Sequence, residues 1–250
     1  MKTKALIQFL DEVLKPAEFR DYAPNGLQVE GRENISSIVL GVSASLGLLE
    51  AAAAKGADAV LVHHGWFWRG EDARIVGVKG RRVRCLIENG MNLIGYHLPL
   101  DAHPEVGNNA ELARVLGLSI DTRAGEYGLL HAGEILSGPM TAREFALRVE
   151  KALGRKPLLV GPDEKQVRRI GWCSGAAQDE LGEAAALGCD LYLSGEIREH
   201  TTFEAVELGV PYLAAGHTAT EQLGIQALGR LIQANFPELS IEYVPQDNPV

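Results

Sequence analysis

The stretch SSIVLGVSASLGLLEAAAAKGADAVLVHHG, residues 36–65, decides the fold class. Its β-branched run at 38–42 predicts a strand. The Ala- and Leu-rich run at 46–55 predicts a helix that a preceding serine can cap and that Gly56 can end. The run at 59–62 predicts a second strand. Strand, helix and strand at these lengths predict parallel pairing with a right-handed crossover.

The same alternation continues along the chain. Its periodic runs predict helices at 4–14, 81–88, 109–116, 141–153, 179–187, 199–208 and 220–232, and strands at 92–95, 169–173, 191–194 and 212–215. Thr141 and Glu144 form a capping-box pattern at the start of one of these helices. The sequence therefore predicts an α/β protein whose sheets are mainly parallel and flanked by helices.

Two segments of the chain resemble each other. AAAKGADAVLV (52–62) and AAALGCDLYLS (184–194) share Ala-Ala, Gly and Asp in the same order and at the same spacing. We interpret this as an internal duplication that gives two similar α/β halves, 1–125 and 126–250, with a cleft between them. The alternative is a chance similarity between two Ala-rich helices.

A matched spacing of polar residues favours the duplication over chance. His97 and Asp101 are four residues apart after one predicted strand, and His217 and Glu221 have the same spacing after the matching strand of the second half. Each pair brings one imidazole and one carboxylate to the end of a strand. The two halves are therefore predicted to bring similar chemistry to the cleft.

Composition restricts the classes of protein to be considered. Apolar residues make up 46% and charged residues 23%, as in ordinary globular proteins. The net charge is −9 without a long basic run, so a nucleic-acid partner is not expected. No segment approaches 18 apolar residues, and the start predicts an amphipathic helix rather than a signal peptide. Three scattered cysteines are typical of reduced thiols, which predicts a cytoplasmic protein.

Two adjacent histidines, His63 and His64, follow the strand predicted at 59–62 and so lie at its carboxyl end. Ligands bind at the carboxyl ends of strands in open α/β sheets. Adjacent side chains of a continuing strand point to opposite faces, but a turn at Gly65 allows both rings to face one cleft. The alternative is a pair of core histidines held by hydrogen bonds. Two of them together at a strand end favour metal ligands.

Three more candidate ligands follow other predicted strands: Asp101 in the first half, and His217 and Glu221 in the second. If Thr220 begins the last helix, Glu221 lies in its first turn, where the helix dipole favours a carboxylate. Taken alone, the two acids would be interpreted as helix caps or surface residues. Together with His63 and His64, these donors suit Zn²⁺, Mn²⁺ or Fe²⁺, and five ligands suit two divalent ions.

Two further residues are candidates for catalysis. His97 matches His217 in the repeat, which predicts either a residue that supports the ligands or an acid–base group. Glu196 occupies the repeat position of His64 and is predicted near the same cleft. We therefore take His97 and Glu196 as the groups that could move protons.

Two other segments have two interpretations each. The aromatic run at 66–68 can stack on a planar base beside the metals or form a subunit interface. The basic cluster at 79–84 is typical of a solvated helix face and, less often, of a phosphate contact. The sequence does not decide between these alternatives.

Four segments of this sequence resemble one known family. YAPNGLQVEG (22–31), ADAVLVHHG (57–65), HLPLDAHPEVGNN (97–109) and AAGHTATE (214–221) resemble the signature segments of the GTP cyclohydrolase I type 2, or NIF-three-like, proteins. The resemblance runs from the first helix to the end of the chain. It does not include the domain insertion that longer members carry.

The resemblance implies a dinuclear metal site at five positions. His64 and Asp101 would bind one ion, His63 and His217 the other, and Glu221 both; none of them is substituted. It also implies a ring-shaped homohexamer.

This chain departs from the family at two positions. Gly65 stands where many members have proline, and Ser-Ala-Ser at 43–45 stands where many have an aspartate. Both departures concern the shape of the pocket rather than the ligands.

Two classes of function fit these residues. The first is a metal-dependent hydrolase acting on a nucleotide or a related small molecule. The family name implies hydrolytic opening of the imidazole ring of GTP, although the chain has no phosphate-binding motif. The second is a non-enzymatic protein that binds metal or a protein partner. Five ligands shared by two ions leave positions for water, which favours the hydrolase.

Overall fold

A computed structural model describes residues 1–250 of the protein. The helices are α1 (Thr3–Leu14), α2 (Leu46–Ala54), α3 (Gly77–Asn89), α4 (Leu98–Ala102), α5 (Asn108–Leu116), α6 (Ala142–Leu153), α7 (Leu181–Ala186), α8 (Glu199–Leu208) and α9 (His217–Asn235). The strands are β1 (Gly26–Val29), β2 (Ser37–Ser43), β3 (Ala59–His64), β4 (Asn92–Gly95), β5 (Thr122–Ala124), β6 (Leu130–Glu134), β7 (Met140–Thr141), β8 (Leu158–Val160), β9 (Gln166–Val167), β10 (Arg169–Trp172), β11 (Leu191–Ser194), β12 (Tyr212–Ala214) and β13 (Ser240–Tyr243). Mixed helices and sheets confirm the predicted α/β class.

The chain divides into two compact units at other residues than those predicted. The first unit is Met1–Leu100 with Ile225–Asp247, and the second is Asp101–Gly224 with Asn248–Val250. The division differs from 1–125 and 126–250 because β13 returns to pair with β2, so the end of the chain belongs mostly to the first unit. Helix α5, in turn, packs its leucines into the core of the second unit.

The first unit contains a five-stranded sheet in the order β1-β4-β3-β2-β13. Only β1 is antiparallel to its neighbour, and the other pairings are parallel. Helices α2 and α3 pack on this sheet through Leu49, Ala52 and Leu86, which meet Val60 and Val62 of β3. The prediction of a mainly parallel sheet is confirmed here.

The second unit contains a six-stranded sheet in the order β5-β6-β10-β11-β12-β8. Only β10–β11 and β11–β12 are parallel, so the prediction of a mainly parallel sheet is wrong for this half. The reason is local: β5 and β6 form a hairpin closed by the short turn Glu126–Gly128, and β8 runs against β12. Hairpin strands are antiparallel by geometry.

Several predicted ends of elements are confirmed. Thr141 and Glu144 form the capping box of α6. Gly117 and Gly209 end α5 and α8 in the left-handed conformation that glycine adopts without strain. No helix of the protein combines the length and the apolar character needed to span a membrane.

Candidate metal centre

In the first unit, the histidine pair lies within β3 rather than after it. The strand runs through His63, which is only 1% exposed, to His64, its last residue. Their ring centroids are 4.5 Å apart, with an angle of 47° between the planes. The prediction that both follow the strand is therefore wrong by two residues, but the two rings do lie side by side.

A hydrogen bond fixes one nitrogen of each ring. His63 Nδ1 lies 3.0 Å from the backbone oxygen of Tyr96, and His64 Nδ1 lies 3.0 Å from Ser43 Oγ. A carbonyl oxygen only accepts, so Nδ1 of His63 carries the proton and Nε2 is the nitrogen that can bind a cation. Metal-binding histidines usually have such a bond on the other nitrogen. Ser43, in one of the segments that departs from the family, supplies it to His64.

His97 follows β4 and is held by a buried carboxylate. Its Nδ1 lies 2.7 Å from Asp21 Oδ1, and its backbone N–H donates to Asn25 Oδ1 at 2.8 Å. Asp21 is itself fixed by the backbone N–H of Leu98 at 3.0 Å and by the Asn25 side chain at 2.9 Å. Burial raises the pKa of Asp21, but the hydrogen bond and charge of His97, the Asn25 side chain and the backbone N–H of Tyr22 more than offset this, so the net pKa is lowered. The carboxylate therefore stays ionised beside the imidazole.

The structure brings the three imidazoles of the first unit together. His63, His64 and His97 each offer one nitrogen, and these nitrogens all lie within 4.8 Å of one another. The His97 ring centroid is 5.1 Å from that of His63 and 5.6 Å from that of His64. Trp68 packs edge-on against His97, with centroids 5.0 Å apart. This arrangement can bind a metal ion.

The aromatic run at 66–68 divides among three environments. Trp66 is buried and donates its indole N–H to the backbone oxygen of Ala44, so it belongs to the core. Trp68 packs on His64 and His97. Phe67 is 37% exposed and carries the Lys79 ammonium over its ring. Only Trp68 therefore lies beside the imidazoles.

Gly65, the other departure from the family, is matched by a neighbouring side chain. A Cβ atom at this position would lie 2.1 Å from Gln28 Oε1. That oxygen accepts the backbone N–H of Trp66 at 2.7 Å. The Gln28 carboxamide therefore occupies the space that a larger residue after the histidines would need.

In the second unit, Asp101 lies in the short helix α4 and is 6% exposed. Its Oδ1 accepts hydrogen bonds from Asn108 Nδ2 at 2.8 Å and from Ser174 Oγ at 3.1 Å. Asn109 donates to its backbone oxygen at 3.3 Å. These contacts fix the orientation of the carboxylate.

Helix α9 begins at His217, three residues before the predicted start. Because of this, Glu221 lies one full turn into the helix rather than in its first turn, on the same face as His217. His217 Nε2 is 3.1 Å from Glu221 Oε2, and Glu221 is 3% exposed. The structure therefore brings this predicted pair together.

Glu196 contacts the other nitrogen of the same histidine. Its Oε1 lies 2.6 Å from His217 Nδ1. Burial alone lowers the pKa of His217, but the hydrogen bonds and charges of Glu221 and Glu196 more than offset it and raise the pKa to about 9. A divalent ion bound to this imidazole would have to displace that proton.

Gly175 allows the backbone to approach the His217 and Glu221 side chains closely. Gly175 has φ of +66°, and a Cβ atom on it would lie 2.3 Å from Glu221 Oε1 and 3.1 Å from His217 Nε2. Any other residue would combine a strained backbone with a collision at the two donor atoms. The loop after β10 is thus shaped around them.

The remaining histidines have other surroundings. His200 is exposed and pairs with Asp179 at 2.9 Å. His131 is buried against Trp172, and burial lowers its pKa. His103 accepts two backbone N–H groups of its own turn through Nδ1.

One charged side chain of the basic segment at 79–84, Lys79, is paired with residues just before the segment. Lys79 Nζ donates to the backbone oxygen of Asp72 at 3.0 Å and lies 3.3 Å from Glu71 Oε1. Arg81 and Arg84 are exposed. The pairing of Lys79 and the exposure of the two arginines favour a solvent-exposed helix face over a phosphate-binding site.

One known family matches the chain over nearly its whole length. The model of that family, Duf34/NIF3 (NGG1p interacting factor 3), matches residues 1–249. The chain belongs to the Duf34/NIF3 family. This confirms the resemblance seen in the four sequence segments.

Individual relatives of the family match over nearly the whole chain. A protein of Allochromatium vinosum called "GTP cyclohydrolase 1 type 2 homolog" is 50% identical, covering 98% of this chain and 96% of its own. A protein of the same name from Escherichia coli K12 is 46% identical over 100% of both chains. A solved structure described as "protein ybgI, unknown function" is 45% identical, covers 100% of both chains and has a TM-score of 0.95.

The sequence alone missed three residues that orient side chains of the candidate site. Asp21 and Ser43 orient His97 and His64, and Ser174 orients Asp101. Asp21 directly precedes one of the four family segments, and the local pattern indicates no more for Ser43 than a possible cap. Their roles depend on contacts between residues far apart in the chain, for which the sequence contains no periodic signal.

Proposed function

We propose that the protein is a metal-dependent hydrolase that acts on a nucleotide or a related small molecule. In this proposal His63, His64, Asp101, His217 and Glu221 bind two divalent ions. The observation that supports it most is that the five candidate ligands are already held in place. Each of the three imidazoles has a hydrogen-bonding partner at Nδ1, and both carboxylates are buried and contact neighbouring side chains. Such supporting hydrogen bonds and burial are typical of metal ligands rather than of surface residues.

The donor types fit a borderline divalent ion. Imidazoles with carboxylates suit Zn²⁺, Mn²⁺ or Fe²⁺, whereas an oxygen-only site would suit Mg²⁺ or Ca²⁺. By resemblance to the family, His64 and Asp101 bind one ion, His63 and His217 the other, and Glu221 both. Five ligands for two ions leave coordination positions for water and substrate.

We further propose that the two units arose by duplication. Asp58 Oδ2 accepts the backbone N–H groups of Ser36 and Ser37, at the start of β2. Asp190 occupies the matching position of the second segment, and its Oδ2 accepts the N–H groups of Arg168 and Arg169, at the start of β10, both at 2.9 Å. The same offset along the chain relates the two aspartates and the two pairs of amides. Repeated contacts at a constant offset support common descent more strongly than two Ala-rich helices do.

The chain's own residues set up the chemistry. A bound pair of divalent ions would supply an activated water and would polarise the bond to be cleaved. Asp21 fixes His97, whose ring packs beside the other two imidazoles and can move a proton there. Glu196 touches His217 Nδ1, so its contact favours orienting that ligand over moving protons itself.

The substrate class rests on the names of the relatives and on charge. Those names suggest GTP, whose imidazole ring such an enzyme would open. The chain has a net charge of −9 and no basic phosphate site in its sequence, so the metals would provide most of the attraction for a phosphate. A phosphoester or amide substrate fits the same donors.

A second candidate is a non-enzymatic role in binding metal or a protein partner. The family description, NGG1p interacting factor, favours it. The ring-shaped homohexamer and the cytoplasmic location also remain proposals, the first drawn from the family resemblance and the second from the free cysteines.

A screen tests the proposal against this alternative. The purified protein, loaded with Mn²⁺, Zn²⁺ or Fe²⁺, is incubated with nucleotides and phosphoesters. The His63→Ala variant serves as the blank, and His200→Ala, an exposed imidazole, as the matched control. Turnover that the blank loses and the control keeps supports a hydrolase. Equal turnover in wild type and blank leaves the non-enzymatic role ahead.

A further inference from the structure

The segment that follows β13 lies against the end of β2, next to one of the candidate ligands. We propose that Gln246 in this segment is a positioning residue of the metal site: it holds Ser43, and through Ser43 it orients the His64 imidazole. This rests on the proposed function, in which His64 binds one of two divalent ions. All three residues belong to the first unit.

The Gln246 side chain takes the place of a strand residue beside the end of β2. Beyond the β13 pairing, the Val244 N–H donates to the Leu40 backbone oxygen at 2.9 Å. Pro245 has no N–H and cannot continue this ladder. Strand β2 nevertheless runs on to Ser43, so its last residues have no backbone partner on this side. Gln246 supplies the missing partner with its carboxamide.

The carboxamide of Gln246 uses both its oxygen and its nitrogen. Its Oε1 accepts the backbone N–H groups of Val42 and Ser43 at 2.8 and 2.9 Å. Its Nε2 donates to the Ser43 backbone oxygen at 2.8 Å and to Ser45 Oγ at 3.0 Å. One side chain thus binds both the N–H and the carbonyl of Ser43. Because an acceptor and a donor are both needed, a carboxylate of the same shape would lose half of these contacts.

The position of Ser43 determines the contact that His64 makes. Ser43 pairs with His64 across β2 and β3, and its Oγ lies 3.0 Å from His64 Nδ1. Gln246 and β3 therefore hold Ser43 from opposite sides. A shift of the Ser43 backbone would move the hydroxyl away from the imidazole. A partner on Nδ1 fixes the ring of a metal-binding histidine and leaves Nε2 for the ion.

Another glutamine of the same unit provides a matched control. Gln233, near the end of α9, donates through Nε2 to the backbone oxygens of Phe236 at 3.5 Å and Pro237 at 3.2 Å. It is half-buried, like Gln246. It fastens the turn after α9 and has no contact with the strand end that holds Ser43. Its loss therefore reports the cost of removing a glutamine that only fastens backbone.

The test is a double-mutant cycle in the full-length chain, with Zn²⁺ affinity measured by competition against a chromogenic chelator. Ser43→Ala should weaken the binding of one of the two ions about 10–100-fold, as the loss of such a partner usually does. Gln246→Ala should weaken the same ion about 3–10-fold. In the Ser43→Ala background it should add nothing, because it acts through that serine. Gln233→Ala should match the wild type.

The metal-free chain gives a second readout. In a long-range ¹H–¹⁵N correlation spectrum at fixed pH, Gln246→Ala and Ser43→Ala should both shift the ring nitrogens of His64, and Gln233→Ala should not. Gln246→Glu keeps the side-chain shape but places an oxygen against the Ser43 carbonyl. It should give the same shift, and it replaces Gln246→Ala if that variant does not fold.

Two results would overturn the inference. One is wild-type affinity and an unshifted His64 spectrum in Gln246→Ala, and the other is a loss of affinity that adds in full to that of Ser43→Ala. Failure of the proposed function looks different. In that case the wild type binds fewer than two ions, while the ring nitrogens of His64 in the metal-free chain still shift in Gln246→Ala.

Discussion

The two units share a way of starting their strands but differ in the donors at the ends of those strands. Before β3 and before β11 an aspartate binds the first amides of the neighbouring strand. At the far end, β3 carries His63 and His64, whereas β11 is followed by Gly195 and Glu196. The first unit thus offers imidazoles, and the second combines one imidazole with carboxylates. The two units therefore share the hydrogen bonds at the start of their strands but differ in the candidate ligands at the end of them.

The two supporting aspartates are not equally buried. Asp58 is buried and accepts from Ser36 and Ser37 as well as from the Arg32 guanidinium. Asp190 is half-buried, and the backbone amides of two residues bind it. We therefore expect the first unit to depend more on its aspartate.

The largest expected effect is that of Asp58→Ala on stability. It leaves two strand amides without their acceptor and removes the carboxylate partner of Arg32, which keeps its bond to the Asn89 backbone oxygen, so we expect a loss of about 2–4 kcal/mol in the free energy of unfolding. Asp190→Ala removes two amide contacts at a more exposed position and should cost about 1–2 kcal/mol. Urea denaturation of both variants measures the difference. Equal losses would mean that Asp58 and Asp190 contribute equally to the stability of the protein.

The pH dependence of stability sharpens the same comparison. Burial raises the pKa of Asp58, but its amide and Arg32 hydrogen bonds more than offset this and lower it from 3.8 to about 2. A lowered pKa in the folded state stabilises the protein above pH 4, and this contribution is lost as the pH falls towards 2. Because solvent screens the half-exposed Arg32 side chain, it amounts to at most about 2 kcal/mol.

The check is to follow wild type and Asp58→Asn from pH 6 to pH 2. The difference in unfolding free energy between the two should shrink over the last two pH units. A difference that stays constant over this range would show that the ionised Asp58 carboxylate does not stabilise the folded protein.

The carboxylates behind the histidines give a smaller effect. Asp21→Asn and Glu196→Gln keep the shape but remove the charge next to His97 and His217. Glu196→Gln should weaken the binding of Zn²⁺ about 10–100-fold, as the loss of such a partner usually does, whereas Asp21→Asn, behind a histidine outside the five proposed ligands, should leave Zn²⁺ binding unchanged. Competition with a chromogenic chelator measures this, with Asp179→Asn beside His200 as the control. No change in Glu196→Gln would show that this carboxylate does not tune its ligand, and a loss of affinity in Asp21→Asn would contradict the five-ligand assignment.

Gly195, which corresponds to His63 under the proposed duplication, can be tested as well. A Cβ atom on Gly195 would lie 2.6 Å from the backbone oxygen of Gly175 and 2.7 Å from His217 Cα. Gly195→Ala should therefore cost about 1–3 kcal/mol. Gly47→Ala, in the first turn of α2 with nothing within 4 Å, should instead stabilise the protein by about 0.5–1 kcal/mol. Thermal melting compares the two.

The central strands of both sheets could be predicted from the sequence because each contains a short, continuous apolar run next to a predicted helix. The antiparallel neighbours β5, β6 and β8 could not, since they are short and half-exposed or lie beside a hairpin turn. Likewise the return of β13 to β2 pairs the last strand of the chain with one of its first, which no local pattern reveals.

The candidate ligands could be predicted because they follow predicted strands. Their exact placement could not: β3 extends through His64, and α9 begins at His217, because tertiary hydrogen bonds rather than local propensity set these ends. Asp21 is a loop residue whose partner lies 76 positions away, so its role could only come from the folded chain.

The most direct test of the account is the metal content of the wild type and of Glu221→Ala, measured by mass spectrometry after purification with Zn²⁺. If Glu221 is shared by two ions, the wild type contains close to two per chain and the variant loses both together. His200→Ala should match the wild type. A Glu221→Ala protein that keeps both ions would contradict the proposed shared site.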